Sequence, residues 1–491
     1  MENKRLVIVG GGTAGWMAAA AFGKLLKGQV TVTLVESEDI PTVGVGEATI
    51  PPLQAFHQRL GIDEQAFLRA TNATFKLGIE FSGWGGESSQ YFHSFGSTGK
   101  GFWAGDFHHL WLRGKDYGIE KPFSEYCLET QAAQTGKFTK EGSPKINYAY
   151  HLDAGLYAGF LRSFSEELGV TRIEGLVEDV FQDADSGDIT GLKLKSGEVI
   201  NGDFFIDCSG FRGLLIEKTL HAGYEDWSHW LLCDRAVAMQ TQKSGPAQPF
   251  TKSVAYEAGW RWRIPLQNRV GNGVVYSSKY WTDEQALEAL LAGVDGEPIN
   301  DPRVIRFQPG RRLQGWKNNC VALGLASGFI EPLESTSIHL VMTGIMRLLL
   351  LFPHQNEPQV LRAEYNAQLK RELEDIRDFI VAHYKINTRE DGGFWRYCRS
   401  MAVPDTLQQR LNLFEKTGQI FKKEDELFRV DSWTQVMIGQ GLNPESFHLA
   451  THQMPEPELK DFLMGYHKGI QKYVASLPSQ ESFIAKYCKS Q

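Results

Sequence analysis

The beginning of the chain alternates between short apolar runs and a helical pattern. Residues 5–12 form an apolar run that ends in glycines, which is typical of a buried parallel strand entering a tight turn. Residues 13–27 carry apolar side chains at helical spacing, and residues 30–37 form a second apolar run. This order predicts a βαβ unit.

The pattern farther along predicts more strands and then helices. Residues 38–60 are rich in glycine and proline and predict a loop over a ligand. A helical pattern at 151–168 precedes strand-like segments at 172–198 and 203–208. The chain therefore has the alternation that is typical of a mixed α/β fold.

The second half begins with a predicted β-hairpin and ends in helices. Residues 254–280 contain two aromatic-rich strands that flank residues 268–273. From about residue 338 onward the pattern is helical, with charged residues on solvated faces.

Composition narrows the class of protein. The 491 residues include 42% hydrophobic side chains, which is enough for a large core, and carry a formal net charge of −8. The resulting pI near 6.0 argues against nucleic acid or an anionic membrane as a partner. The longest apolar stretch, residues 338–353, contains His339 and Arg347 and is too short to span a bilayer.

The cysteines and the N-terminus suggest a compartment. The six cysteines form no C-x-x-C pair, so we expect neither a zinc site nor a redox-active pair. We expect them to be buried free thiols, as in proteins of a reducing compartment. Met1 leads almost directly into a strand, so we expect no signal peptide. Together these features predict a soluble cytoplasmic protein.

A dinucleotide fingerprint follows the first strand. The glycines of G-x-G-x-x-G allow a tight turn and the close approach of a pyrophosphate, and the following helix start supplies unpaired N–H groups. Glu36 ends the second strand 21 residues after Gly15, where a carboxylate should receive the ribose hydroxyls. The alternative is a glycine-rich turn in an ordinary α/β protein. The predicted binding residues of the turn are Gly10, Gly12, Thr13, Ala14 and Gly15.

A second segment favours FAD over NAD. In Phe204–Gly213 an apolar strand carrying Asp207 runs into Ser209 and glycine, as in flavoproteins. We therefore expect an α/β fold with a Rossmann-type FAD-binding box like that of flavin monooxygenases, and a mostly helical substrate domain.

We expect both domains to be discontinuous in sequence. The box would comprise residues 1–80 and 150–350, and the substrate domain residues 81–149 and 351–491.

A tryptophan pair lies in the predicted hairpin. Because side chains alternate along a strand, Trp260 and Trp262 share one face, and Arg261 and Arg263 share the other. Two rigid indoles on one face can wall a flavin site. From the residues alone, the alternative is an aromatic pair in a sheet core.

Taken together, these strings resemble the flavin-dependent halogenases of the tryptophan type. The resemblance rests on W-x-W-x-I-P at 260–265 together with the N-terminal fingerprint. It extends through GVGEAT at 44–49, Lys76 and EPLEST at 331–336, and covers residues 1 to about 350 in order.

The resemblance implies a reaction in two connected cavities. Reduced FAD and O₂ would oxidise chloride or bromide to hypohalous acid, which would pass through a tunnel to Lys76. An ammonium can hydrogen-bond the oxidant, and a desolvated neutral amine can be halogenated. From the residues alone, the alternative is a surface lysine.

Glu334 matches the family's catalytic glutamate. A carboxylate there would stabilise the cationic intermediate of aromatic substitution and accept its proton. The carboxylate could also pair with Lys76. From the residues alone, the alternative is a glutamate that complements a helix dipole.

The resemblance also implies contacts to halide and flavin. The backbone amides of Thr336 and Ser337, at the start of the apolar helix 338–352, would hold the halide. The residues that the resemblance places against the flavin are Ala48, Val177 (near the adenine half), Trp260, Trp262, Leu325 and Ile338.

The substrate prediction rests on two regions. His93-x-Phe95 resembles the pair that sandwiches the indole ring in the tryptophan enzymes. The Tyr/Glu segment that grips the amino-acid group in those enzymes has no match, and residues 431–444 occupy its region. We therefore expect indole, an indole derivative or another electron-rich aromatic in preference to free tryptophan.

The resemblance implies partners as well. The chain has no second nucleotide fingerprint for NAD(P)H, so a separate flavin reductase should supply FADH₂. Homodimers are common in the family. Two rival functions share the fingerprint, namely a flavin monooxygenase that hydroxylates an aromatic and a non-catalytic FAD-binding protein.

Overall fold

The computed structural model describes residues 3–40, 46–119, 121–353 and 358–490. The strands are, in chain order, β1 (Lys4–Val9), β2 (Val30–Glu36), β3 (Gly46–Ala48), β4 (Thr74–Lys76), β5 (Gly78–Ser82), β6 (Gln90–Ser94), β7 (Ala149–Asp153), β8 (Thr171–Glu174), β9 (Val177–Gln182), β10 (Ile189–Leu194), β11 (Val199–Asn201), β12 (Phe204–Asp207), β13 (Tyr224–Asp226), β14 (Arg235–Gln242), β15 (Thr251–Tyr256), β16 (Gly259–Pro265), β17 (Arg269–Tyr276), β18 (Arg303–Arg306), β19 (Gly310–Arg312), β20 (Trp316–Lys317), β21 (Cys320–Ala322) and β22 (Gly328–Phe329).

The helices between and after these strands are α1 (Thr13–Leu25), α2 (Pro52–Leu60), α3 (Glu64–Ala70), α4 (Phe107–Lys115), α5 (Leu128–Gln134), α6 (Ala154–Glu167), α7 (Asp283–Gly293), α8 (Ser337–Leu350), α9 (Pro358–Lys385), α10 (Gly393–Ser400), α11 (Asp405–Thr417), α12 (Val430–Gly439), α13 (Glu456–Ser476) and α14 (Gln480–Tyr487).

A six-stranded sheet in the order β20-β21-β12-β1-β2-β8 forms the nucleotide-binding half. β1 lies between β2 and β12 and pairs with both in parallel. The buried alanines 18–21 let α1 pack closely against this sheet. The predicted βαβ unit and the mixed α/β fold are therefore confirmed.

A second sheet of seven strands, in the order β18-β14-β17-β16-β15-β5-β6, carries the predicted hairpin. β16 and β17 pair antiparallel, with Trp260 opposite Val275. The hairpin turn is shorter and earlier than the predicted 268–273, because β17 already begins at Arg269. Arg269, the first residue of β17, forms an ion pair with Asp153, with 2.6 Å between the guanidinium nitrogen and the carboxylate oxygen.

The smaller sheets correct two sequence predictions. β3, β7 and β4 form one three-stranded sheet, and the others are β11-β10-β9 and β13-β19-β22. The loop predicted for residues 38–60 is wrong from residue 46 onward, where the chain forms β3 and α2. Residues 41–45 lie outside the described residues. The helix predicted from 151 begins at Ala154, because Asp153 caps it by accepting from Leu156 N at 3.0 Å.

Helices from the middle and from the C-terminal part of the chain pack against each other. Helices α4 and α13 share an apolar cluster that includes Phe107, Leu110, Leu459 and Leu463. This packing joins the segments predicted for the substrate domain, although β6 of that segment extends the seven-stranded sheet. The two-domain division stays a prediction.

Among the residues that the structure describes, no helix combines the length and apolar character that crossing a bilayer requires.

Candidate functional site

A cleft of about 850 Å³ opens at the carboxyl ends of β1 and β12. Open α/β sheets bind their ligands at this edge. The sequence-predicted residues that line the cleft are Gly10, Gly12, Thr13, Ala14, Glu36, Ala48, Val177, Trp260, Trp262, Leu325, Ser337 and Ile338.

The turn before α1 fits a pyrophosphate. A Cβ added at Gly10 would lie 2.3 Å from the carbonyl oxygen of Cys208, and one at Gly15 would lie 1.8 Å from that of Gly10. A Cβ at Gly12 would meet nothing within 4 Å, because this position faces the open cleft. No side chain caps the start of α1, so its first N–H groups are available to phosphate oxygens.

Glu36 lies at one end of the cleft and is oriented by an arginine that the sequence did not indicate. Arg172 Nε lies 2.5 Å from Glu36 Oε1. Arg172 reaches this place because β8 pairs with β2, a pairing that no local sequence signal reveals. Val177 follows β8 and lines the same end of the cleft. Glu36 can accept hydrogen bonds from ribose hydroxyls and Val177 can contact an adenine ring, so this end of the cleft suits the adenosine half of a dinucleotide.

The two tryptophans wall the other part of the cleft. Trp260 and Trp262 are 2% and 6% exposed, and their ring centres lie 6.2 Å apart. Gly273 on β17 leaves space for the Trp262 indole, since a Cβ there would lie 2.1 Å from the ring. Both indoles share one face of β16, as the strand periodicity predicts. The planes of the two rings are inclined at 59°, so the cleft offers a flavin two separate aromatic side chains on one wall.

Lys76 is fully buried at the end of β4. Its Nζ donates to the carbonyl oxygen of Thr49 at 3.1 Å and to Ser335 Oγ at 2.8 Å. Burial lowers the pKa of the Lys76 ammonium to about 7, and the negative charge of Glu334 opposes that shift. The alternative of a surface lysine is wrong, because the amine has no exposed area.

Ser335 joins the cleft to Lys76. It lines the cleft, and its hydroxyl accepts the hydrogen bond from the lysine. Its φ of 60° places it in the left-handed region, which non-glycine residues adopt at an energetic cost of about 1–3 kcal/mol. The turn therefore holds this hydroxyl between the two parts of the site.

Glu334 ends the short turn Pro332–Glu334 and is 1% exposed. His93 Nδ1 lies 2.7 Å from Oε2, and His383 Nε2 lies 2.9 Å from Oε1. Burial alone would raise the pKa of Glu334, but the charge of His93 and hydrogen bonding by both histidines outweigh it and lower the pKa to about 2. Within the described residues, the carboxylate contacts these histidines instead of pairing directly with Lys76.

The predicted halide residues begin α8. Thr336 is the residue before the first turn, is fully buried, and does not cap the helix with its side chain. Ser337 follows it and faces the cleft. The first N–H groups of α8 therefore lie beside the flavin cleft, which suits an anion.

The predicted substrate residues surround the amine and the carboxylate. The Phe95 ring centre lies 5.2 Å from Lys76 Nζ. His93 lies on β6, and its ring is held by Glu334. The stacking role of this pair stays a prediction.

Residues 431–444 begin in α12, which packs against β6. The Gln435 amide donates to Ser94 Oγ, Gly96 O and Thr98 Oγ1 at 3.0–3.2 Å, and its oxygen accepts from Ser94 N at 2.7 Å. Asp431 accepts from Thr98 N at 2.9 Å. The polar side chains of this helix thus hold the strand and its following loop.

Sequence reasoning missed two residues that surround Glu334. Tyr91 shares a strand face with His93, so the two-residue spacing was a usable signal. His383 lies on the long helix α9, more than 290 residues from Tyr91, and nothing local distinguishes it from the other histidines.

The fold and the cleft define a flavoprotein of the FAD-dependent oxidoreductase class, with a buried amine and carboxylate beside the flavin site. Over residues 5–456 the chain matches the family model described as tryptophan halogenase. It is 37% identical to tryptophan 7-halogenase RebH of Lentzea aerocolonigenes, over 98% of each chain.

Solved structures agree with this match. A flavin-dependent halogenase from Xanthomonas campestris is 51% identical, with a TM-score of 0.98 over 100% of this chain and 99% of that one. BrvH, a flavin-dependent halogenase from Brevundimonas sp. BAL3, is 43% identical, with a TM-score of 0.95 over 99% of each chain. The chain belongs to the tryptophan halogenase family and is a flavin-dependent halogenase, as its resemblance predicted.

Proposed function

We propose that this enzyme uses FADH₂, O₂ and chloride or bromide to halogenate a neutral, electron-rich aromatic such as indole or an indole derivative. The observation that carries the proposal is the hydrogen bond between Ser335, which lines the flavin cleft, and Lys76, which lies beyond it. This contact links the place where an oxidant would form to the place where it would be used.

One set of residues would bind the cofactor and the halide. When bound, reduced FAD would supply the electrons that activate O₂ toward the halide. The fingerprint turn, Glu36 and the two tryptophans would hold the cofactor, and the N–H groups at the start of α8 would hold the halide. The buried walls would exclude water and so protect a reactive oxidant from side reactions.

Lys76 and Glu334 would direct the organic step. An ammonium at Lys76 can donate to the oxygen of hypohalous acid and polarise the halogen toward the aromatic ring. The Glu334 carboxylate can stabilise the cationic ring intermediate and accept its proton. Both groups are buried, so their charges act in a medium of low dielectric constant, where they are strong.

The C-terminal region supports a substrate without an amino-acid group. Gln435 and Asp431 are engaged with the backbone and side chains that follow β6. Groups that are already satisfied in this way are poor partners for the ammonium and carboxylate of free tryptophan. We therefore place the recognition of the substrate in its aromatic ring.

The electrons would come from a separate NAD(P)H-dependent flavin reductase, and we place the reaction in the cytoplasm.

A single assay tests the proposed function. The protein is incubated with FAD, a flavin reductase, NADH, indole and either chloride or bromide, and the products are analysed by mass spectrometry. We expect the isotope pattern of a halogenated indole that follows the halide supplied. A gain of one oxygen atom independent of halide would instead identify a monooxygenase, and bound FAD without any product would identify a non-catalytic protein.

The pH dependence should report the protonation of Lys76. If the ammonium is the working form, the rate of indole halogenation falls above pH of about 7, by about tenfold per pH unit, because the pKa of Lys76 is about 7. Glu334, with a pKa of about 2, stays ionised across this range. The measurement is the rate of product formation against pH, with oxidant formation followed separately by a chemical trap. A rate that rises through this range would show that the neutral amine is the reactive form.

A further inference from the structure

A row of tryptophans leads from the flavin cleft into the protein. Trp262 and Trp260 line the cleft, and their ring centres lie 6.2 Å apart. Trp84, which follows β5, lies 6.2 Å from Trp260, and Trp395 of α10 lies 5.3 Å from Trp84. We call these four residues the tryptophan row. Each of its rings lies beside the next, although they come from three separate parts of the chain.

The outer end of the tryptophan row lies beside half-buried aromatic residues. The Trp395 indole donates to the carbonyl oxygen of Tyr256 at 2.6 Å, and the Tyr256 ring lies 6.1 Å from that of Trp281. A second route passes through Phe394 to Tyr280, with 5.1 Å and then 5.7 Å between ring centres. Tyr256, Tyr280 and Trp281 are each partly exposed to solvent. The row therefore connects the cleft with the protein surface.

The chemistry of indole suits this arrangement to electron transfer. Tryptophan gives up a single electron far more readily than phenylalanine or an aliphatic side chain, and electrons pass quickly between neighbouring rings. Trp84 is fully buried, and its N–H has no hydrogen-bond partner among the described residues. An indole that has lost an electron is a strong N–H acid, but this proton has no acceptor. The electron vacancy at Trp84 therefore stays mobile and can pass to the next ring.

The charges at the outer end are compatible with this route. The Arg389 guanidinium lies 5.2 Å from the Trp395 ring centre, and a lone cation there would oppose the removal of an electron. Two nitrogens of this guanidinium pair with the two carboxylate oxygens of Asp391. The net charge beside the indole is therefore close to zero, and Trp395 can still pass an electron.

We propose that the tryptophan row is an electron-transfer chain that protects the flavin cleft from oxidation. A one-electron oxidant of the hydroxyl-radical class, formed from O₂ in the cleft, takes an electron from Trp262 and becomes hydroxide. Electrons move inward along the row to fill the vacancy. A thiol in solution refills the outer end by losing one electron and one proton, and that proton converts the hydroxide to water. No bond to an indole forms or breaks, so the wall of the cleft is restored.

The first test uses blue light to make bound FAD itself the one-electron oxidant. The full chain, in excess over FAD, is illuminated without O₂ in the presence of dithiothreitol, and flavin reduction is followed by the loss of visible absorbance. In Trp84→Phe the row contains a ring that cannot be oxidised, so photoreduction should slow by about tenfold or more, because a missing step raises the barrier of the whole route. Equal rates in the wild type and in Trp84→Phe would overturn the proposal.

Trp227→Phe is the matched control for this test. Trp227 is also fully buried, and its N–H likewise has no partner among the described residues, but its ring is not part of the row. Photoreduction in Trp227→Phe should equal that of the wild type. A loss as large as that in Trp84→Phe would show that any buried tryptophan has this effect, and the proposal would be wrong.

The second test separates electron supply from a disturbance of the cleft. Trp260 and Trp262 remain in Trp84→Phe, so they should quench the fluorescence of bound FAD as strongly as in the wild type. Adding Trp395→Phe to that variant should cause little further loss of photoreduction, because the row is already interrupted. Weaker quenching in Trp84→Phe, or a second loss as large as the first, would mean that these residues act through packing and would refute the proposal.

The third test measures protection during turnover without halide or an organic substrate. The protein is incubated with FAD, a flavin reductase, NADH, O₂ and dithiothreitol, and oxygen gained by Trp260 and Trp262 is quantified by peptide mass spectrometry. We expect oxidised Trp260 and Trp262 to accumulate several-fold faster in Trp84→Phe than in the wild type or Trp227→Phe. Equal accumulation would contradict the protective role. None of the three tests depends on which aromatic is halogenated.

Discussion

Lys76→Ala should abolish halogenated indole while hypohalous oxidant still forms in the flavin cleft. The amine is the buried donor that contacts Ser335, so its loss removes the group that would hold and polarise the oxidant. The residues that line the flavin cleft are unchanged in this variant, so oxidant formation should continue. Product is measured by mass spectrometry, and oxidant by a chemical trap in the absence of indole.

Two further variants sharpen the interpretation of the Lys76 result. Lys76→Met keeps most of the side-chain volume without the charge, and should be as inactive as the alanine variant if the amine is what matters. Lys252→Ala removes a lysine that is 40% exposed on the second sheet, and should leave the product rate unchanged. Full product formation by Lys76→Met or Lys76→Ala would remove the amine from the mechanism.

Glu334→Gln should slow halogenation by about 10²–10⁴-fold, the range for a lost general base. The amide has nearly the same shape but neither accepts the proton nor carries the charge that stabilises the cationic ring. Its NH₂ group would also face one of the two histidine donors, at 2.7 Å or 2.9 Å. Single-turnover rates of indole bromination provide the measurement.

Glu331→Gln is the matched control for the Glu334 variant. Glu331 is also fully buried and lies three residues earlier, and burial raises its pKa to about 7. Replacing it by an amide tests whether glutamine in this turn is harmful in itself, and the loss should be less than about tenfold. Comparable losses in the two variants would contradict a specific role of Glu334.

Local sequence patterns were sufficient to predict the first elements of the nucleotide-binding half. The apolar strand, the glycine turn and the following helix are consecutive, so periodicity and turn chemistry predicted β1, α1 and β2 directly. The common face of Trp260 and Trp262 followed from the two-residue period of a strand. The loop predicted at 38–60 failed because glycine and proline also occur at the ends of short elements, and Pro52 begins α2.

The surroundings of Lys76 and Glu334 were not predictable from local sequence. Lysine and glutamate are ordinarily exposed, and only tertiary packing makes these two buried. The family resemblance identified them without showing their contacts. His383 approaches Glu334 through the packing of α9, a long-range contact that a single sequence does not encode locally.

The position of His383 has a consequence for engineering by segment exchange. α9 belongs to the C-terminal helices, where one would look for a replaceable specificity module. Yet this helix supplies His383, one of the two histidines that contact the Glu334 carboxylate. A chimera with foreign C-terminal helices would therefore also change the surroundings of the group that accepts the proton. Changing the range of accepted aromatics without damaging turnover therefore calls for grafts that begin after Lys385.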